Sequence, residues 1–321
     1  MINAEAWGIT VVIPSFRVSD SILSVLKGIP SYVHKIIVVD DACPEGSGRL
    51  VETKSKDKRV EVVFNPENLG VGGAMIAGYK KAMEFASTKI VVKLDGDGQM
   101  DASRIEALVS PILRQEADYT KGNRFSSLED LEAMPRIRIF GNAVLSIFSK
   151  FSSGYWNITD PTNGFTAIHR SVLERIKLEK LRTGFFFESD MLFRLSIIRA
   201  VVVDVPMPAQ YGAEKSNLNI RKVMFEFPHR HFVNLLKRTF YNYYLREWNI
   251  ATFELPLGLG LFWFGLGFGV ASWASAAAAG VPATTGQVML SAVPLLLGTQ
   301  LILAFLNYDV AAVPRRPRQL D

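Results

Sequence analysis

Between residues 251 and 312 the chain carries only two formal charges, Glu254 and Asp309, and no other feature constrains its fold as strongly. Residues 252–276 form one long apolar run, and 288–308 form a second that has no charge at all. Each is long enough for a helix crossing a hydrocarbon core, which needs about 20 residues. The turn between them, 277–287, holds Gly280, Pro282 and Gly286. A buried helical hairpin of a soluble protein is the alternative, but two such lengths in tandem fit the membrane criterion better. A homo-oligomer formed through these transmembrane helices is compatible with the pattern.

The flanks give the expected orientation. Lys237, Arg238 and Arg246 precede the first span, Arg315, Arg316 and Arg318 follow the second, and the loop between is uncharged. Positive residues stay inside, so both termini are expected in the cytoplasm, with a multi-pass anchor in the inner (cytoplasmic) membrane. The first residues run almost directly into a strand without a basic and apolar leader, so no cleaved signal is expected. Cys43 is the only cysteine and excludes an intramolecular disulfide. The net charge of +5 reads as attraction to an anionic lipid surface, with no nucleic-acid partner, because the basic residues crowd beside the spans.

Before residue 220 short apolar strands alternate with amphipathic helices. Strands are expected at 9–13, 35–39, 60–64, 90–94, 118–121, 165–169 and 201–205. Their continuous apolar character fits a sheet covered on both faces, and the alternation argues an α/β fold with a mostly parallel sheet. Asp101 is placed to cap a helix carrying Ile105, Leu108, Val109, Ile112 and Leu113, which Pro111 kinks or shortens. The expected organisation is an α/β domain over 1–220, an amphipathic juxtamembrane segment over 221–250, the spans within 251–312, and a basic tail over 313–321. The juxtamembrane segment interleaves Phe225, Phe232, Phe240, Tyr241 and Trp248 with Lys222, Arg230 and Lys237, as an interfacial helix does; a core-packing helix is the alternative. His229 and His231 are two residues apart and do not share a helical face, so they read as surface or interfacial histidines.

The chemistry concentrates where strands end. The run over 90–94 stops at Asp95-Gly96-Asp97-Gly98-Gln99. Oxygen ligands at alternate positions of a glycine-loosened turn can converge on a hard divalent cation, and in α/β sheets ligands bind at the carboxyl ends of strands. Asp-Gly is also an ordinary turn signal. Pro14 and the pair Asp40-Asp41 end two earlier strands. Asn68-Leu69-Gly70-Val71-Gly72-Gly73 runs into a helix and signals either phosphate binding or close backbone approach. It is no dinucleotide fingerprint, since Met75 stands where glycine is required, and no Gly-Lys-Ser/Thr exists for a P-loop. Downstream lie Gly122-Asn123-Arg124, then Arg136 and Arg138, then Asp160-Pro161-Thr162-Asn163-Gly164-Phe165 and Phe187-Glu188-Ser189-Asp190.

As an ordered set over about 8–220, these motifs resemble the family 2 glycosyltransferases of GT-A fold, in the branch of dolichol-phosphate mannose synthase and the bacterial polyprenyl-phosphate glycosyltransferases. The resemblance implies a Rossmann-like α/β domain, with helices on both faces of the sheet, followed by two C-terminal transmembrane helices. It implies nucleotide-sugar contacts from Pro14, Asp41 with or without Asp40, Asn68, Gly70, Asp95 and Gly96. Asp95, Asp97 and Gln99 would hold Mg²⁺ or Mn²⁺ on the donor diphosphate, and Arg124, with Arg136 or Arg138, would meet an acceptor phosphate. The chain departs from the family where Arg17-Val18 replace the usual Asn-Glu pair. The implied reaction is inverting transfer of a hexose from GDP-mannose or a UDP-hexose to polyprenyl phosphate at the cytoplasmic face. The alternative is transfer to a hydroxyl of a lipid-linked oligosaccharide, in O-antigen or capsule assembly, with Glu188 or Asp190 as general base; both could equally cap or orient a helix.

Overall fold

The computed structural model describes residues 7–126, 136–208 and 220–321, the side chains of 136–138 and 220–225 excepted. The chain divides into two compact units, Met1–Leu235 with Pro314–Asp321, and Leu236–Val313. The boundary expected at 220 lies at the edge of the described residues.

In the first unit seven strands form one sheet: β1 (Ile9–Ser15), β2 (Lys35–Asp40), β3 (Val60–Phe64), β4 (Ile90–Lys93), β5 (Tyr119–Asn123), β6 (Thr166–His169) and β7 (Val202–Pro206). Their order is β3-β2-β1-β4-β6-β5-β7. Only β6 runs against its neighbours, antiparallel to β4 and β5, while every other pairing is parallel. The connections include α1 (Ile22–Gly28), α2 (Ser47–Lys54), α3 (Gly70–Glu84), α4 (Ile105–Leu113), α5 (Arg136–Ser153), α6 (Arg170–Leu173) and α7 (Phe187–Ile197). Alternate residues of the central strands, Val11 and Ile13, Ile36 and Val38, Ile90 and Val92, pack with Ile22 and Leu26 of α1 and Ile105 and Leu108 of α4. The opposite face meets α3, where Gly78 lies against Val12 and Val39. Burial on both faces is why these strands read as unbroken apolar runs. Pro111 lies inside α4, which ends two residues later.

The tail is docked rather than free. Asp118, fully buried before β5, accepts the amides of Val201 at 2.7 Å and of Arg318 and Gln319 at 2.8 Å each. The Gln319 side-chain Nε2 adds bonds to the carbonyls of Ile112 and Ala117. A buried carboxylate is tolerated when donors surround it in this way.

Helix α8 covers Ile220–Phe240. Its Phe227 and His231 are buried, whereas Phe232 is 56% exposed, so one helix face packs and the other is bare. His231 thereby departs from its expected surface position. It shares a hydrogen bond with Ser152 at 2.7 Å, stacks on Phe148 and meets Phe186 edge-on, and burial pushes its pKa down to about 4. His229 is exposed, as its polarity suggests.

The second unit is a hairpin of α9 (Ile250–Ala279) and α10 (Thr285–Ala311), preceded by a π-helical turn over Tyr241–Arg246. The helices are 30 and 27 residues long, and only 11% of each apolar window is buried, which separates them from core helices of a soluble fold. The hairpin closes through glycine. A Cβ on Gly265 would sit 2.7 Å from the Ser291 carbonyl, and one on Gly298 would sit 2.7 Å from the Gly258 carbonyl. Small residues let membrane helices approach this closely. Asp309, an acid within an apolar helix, is held by Arg238 at 2.6 and 3.0 Å and by the Tyr243 hydroxyl at 2.6 Å. All three side chains are buried. Removing one member of a buried pair strands the other, so Asp309→Ala should cost about 3–5 kcal/mol. Thermal melts in detergent check this, and an Asp309→Ala protein melting with wild type would refute it.

Candidate active site

The parallel strands all point their carboxyl ends toward one edge of the sheet, and the antiparallel β6 begins there. Chain emerging from β4, β5 and β7, with the segment entering β6, therefore surrounds one cavity of about 120 Å³. Asp95, Asp97, Gln99, Arg104, Arg124 and Thr162 are among its lining. The turn is folded by its own bonds: the Gln99 amide donates to Asp97 Oδ1 at 3.0 Å, and Gly98 takes φ +79°. The Gly96 carbonyl accepts from Ser21 Oγ at 2.7 Å, which ties the turn to the residue preceding α1.

Arg124 leaves the end of β5 and is fixed by Asp160, itself fully buried. Nε donates to Asp160 Oδ2 at 2.8 Å and Nη2 to Oδ1 at 3.0 Å, with Thr162 Oγ1 at 3.3 Å from Nη2. Such a fork sets the guanidinium plane at the cavity wall. Within β5 lies the buried Lys121, whose ammonium donates to the Asn163 carbonyl and whose pKa burial pushes down to about 8.

A second cation lies behind Asp95. Lys93, the last residue of β4, is buried, and its Nζ stands 2.7 Å from Asp95 Oδ1 and 3.2 Å from Glu188 Oε1. Burial works against the ammonium, but Asp95 and Glu188 outweigh it and hold Lys93 above the usual lysine range. Glu188, in the first turn of α7, is outside the cavity lining. Asp190 accepts from Arg194 Nε at 2.9 Å and from the Arg182 amide at 3.1 Å, so it fastens α7 to the preceding loop and does not face the cavity.

The other expected contacts hold backbone. Asp40 accepts from the amides of Cys43 at 2.7 Å and Gly48 at 2.6 Å, shaping the start of α2. Asp41 takes Asn65 Nδ2 at 2.7 Å, the Leu69 amide at 3.1 Å and the Gly70 amide at 2.7 Å. Asn68 Oδ1 also accepts the Gly70 amide, at 3.1 Å. Of the two readings of the glycine segment, close backbone approach is the observed one: the Gly73 amide is bonded to the Thr183 carbonyl, and a Cβ on Gly72 would overlap the Arg182 carbonyl. Pro14 is half-buried in β1. At the divergent Arg17, φ is +57°, the guanidinium lies 5.3 Å from the centroid of the Phe16 ring, and the amide meets Cys43 Sγ.

The donor set suits a hard divalent cation. Among the described residues no three His, Cys, Asp or Glu side chains gather into a closed ligand cluster. Two carboxylates and an amide on an open wall match Mg²⁺ or Mn²⁺ that completes its shell with substrate phosphates and water.

The sequence comparison decides the class. The model of Glycosyl transferase family 2 matches residues 10–177, more than half of the 321 residues. The chain belongs to this family. The glycosyltransferase is 28% identical over 200 residues to an undecaprenyl-phosphate mannosyltransferase of Micrococcus luteus, covering 61% of this chain and 81% of the relative. It is 29% identical over 188 residues to a UDP-N-acetylglucosamine–dolichyl-phosphate N-acetylglucosaminyltransferase of Methanococcus voltae, covering 54% and 74%. Its fold is similar to glucosyl-3-phosphoglycerate synthase of Mycobacterium tuberculosis, solved with Mn²⁺, UDP and phosphoglyceric acid, at TM-score 0.54 and 18% identity over 73% of this chain and 80% of that one.

The glycosyltransferase thus brings Asp95, Asp97, Gln99 and Arg124 together at one cavity. The side chains of Arg136 and Arg138 lie outside the described residues. Sequence reasoning missed Arg104 and Lys93. Arg104 was marked only by its place in the turn after the acidic motif. Lys93 was marked by a lysine interrupting an apolar strand, a residue type rarely buried without a partner.

Proposed function

We propose that the protein transfers a hexose, with inversion, from a nucleotide-diphosphate sugar to a polyprenyl phosphate at the cytoplasmic face of the membrane. The observation that carries this reading is the cavity itself, where an acidic wall of Asp95 and Asp97 faces Arg124 oriented by Asp160. Bound Mg²⁺ or Mn²⁺ would neutralise the charge that develops on the departing nucleoside diphosphate. Asp95 and Asp97 would hold that cation, with Gln99 beside them. Arg124 would orient the acceptor phosphate, and Arg104 offers a second guanidinium at the same wall. A phosphate is ionised at neutral pH and needs no strong base, so proximity is the main contribution asked of the protein. The relatives named for undecaprenyl and dolichyl phosphate support the acceptor class, and the apolar hairpin supports a membrane-embedded acceptor.

A hydroxyl acceptor would require a free base. Glu188 is paired with Lys93 and Asp190 with Arg194, so the geometry favours the phosphate.

The test is a panel of UDP- and GDP-hexoses offered to the full chain in detergent with Mg²⁺ or Mn²⁺, with and without polyprenyl phosphate, products weighed by mass spectrometry. The expected product is polyprenyl-phosphate hexose, formed from one donor class. Transfer that ignores polyprenyl phosphate and proceeds onto a sugar hydroxyl would overturn the reading.

A further inference from the structure

We infer that Lys93 is a positioning residue that aims the Asp95 carboxylate at the donor site and takes Glu188 as its counter-charge, so that Glu188 serves as an electrostatic support and not as a proton acceptor. The inference deepens the proposed reading and rests on it for the role of Asp95.

Three observations converge. Lys93 is 1% exposed at its side chain and holds both carboxylates from a strand end that backbone pairing fixes, since β4 is bonded to β1 and β6. One oxygen of Asp95 is thereby anchored at 2.7 Å, which restricts the rotamer that the cavity meets. Second, the arrangement excludes a side chain at Gly164. A Cβ there would overlap Lys93 Nζ and come within 2.7 Å of Asp95 Oδ2. The glycine of the Asp160–Gly164 motif therefore makes room for the ammonium. Third, Glu188 is only 13% exposed and shares the Lys93 ammonium with Asp95, at 3.2 Å. Two carboxylates this confined would repel without a cation between them, and with Lys93 the trio carries one net negative charge instead of two. Lysine is a compact charge suited to bridging in this way. Partners that orient a metal-binding carboxylate are part of a metal site's affinity, and their loss commonly weakens binding about 10–100-fold.

The test uses the full chain in detergent and titrates Mn²⁺ in the presence of saturating UDP or GDP, reading free Mn²⁺ by electron paramagnetic resonance, beside thermal melts and the pH profile of kcat. Lys93→Met should weaken Mn²⁺ binding about 10–100-fold and lower the melting temperature. Lys93→Met with Glu188→Gln should regain part of both, because the stranded carboxylate is gone. Should Lys93→Met be too unstable to purify, the double variant and Lys93→Arg carry the titration. Glu188→Gln alone should keep the shape of the kcat pH profile. A folded Lys93→Met protein binding Mn²⁺ like wild type would overturn the positioning role. Loss of an ionisation from the kcat profile in Glu188→Gln would overturn the counter-charge role and make Glu188 the base. If the wild-type chain binds Mn²⁺ with neither nucleotide, the metal reading fails by itself, and the Glu188→Gln profile still decides between counter-charge and base.

Discussion

Asp97→Ala should leave the first unit folded and cut sugar transfer by about 10²–10³-fold, the usual cost of losing one electrostatic partner at the point where charge develops. Stability should survive because Asp97 sits on a partly exposed turn, with its Oδ1 accepting the nearby Gln99 amide. Asp95 is a poorer probe of chemistry, since its removal also leaves Lys93 with Glu188 alone. The clean comparison is therefore at Asp97. Its variant should match wild type in thermal melting while turnover stays depressed at saturating Mg²⁺ or Mn²⁺. Near-normal turnover by folded Asp97→Ala would refute the ligand assignment.

The sequence exposed this site where local chemistry and long-range position coincide. The run over 90–94 had to be buried, and two carboxylates at the end of a buried strand leave few places to be except a sheet edge. The strand positions were legible for the same reason. Where one residue type does two jobs, sequence could not choose between them. Asp40 and Asp41 were legible as carboxylates at a strand end, but not the backbone amides that the structure brings to them from residues 43, 48, 69 and 70. Gly70, Gly72 and Gly73 read as a phosphate turn or a close contact, and the close contact is made by the distant Arg182–Thr183 backbone. Spacing showed that His229 and His231 do not share a helical face but not that His231 is buried, because the partner Ser152 lies 79 residues away. The reversed direction of β6 and the docking of the tail on Asp118 likewise depend on pairings that leave no local trace.

Arg124 and Glu188 divide the two acceptor chemistries. Arg124→Lys keeps the charge but loses the fork, so neither Asp160 nor an acceptor phosphate can be gripped in one plane. Hydrogen bonds to charged groups contribute about 1.5–3 kcal/mol each, so transfer to polyprenyl phosphate should fall about 10–100-fold. The change should appear in the KM for acceptor as well as in kcat, with donor binding unaltered. Arg124→Ala is the harsher variant, because Asp160 is fully buried and would lose its cation; its melting temperature must be measured beside its rate. Glu188→Gln should cost less than about tenfold, since an amide oxygen still accepts from Lys93 and no proton has to be removed. A hydroxyl acceptor predicts the opposite order, for loss of a general base forfeits about 10²–10⁴-fold. Measuring both variants against one acceptor, with donor affinity determined separately, settles the matter. An inactive Glu188→Gln that still binds donor, beside a nearly active Arg124→Lys, would transfer the assignment to the hydroxyl acceptor.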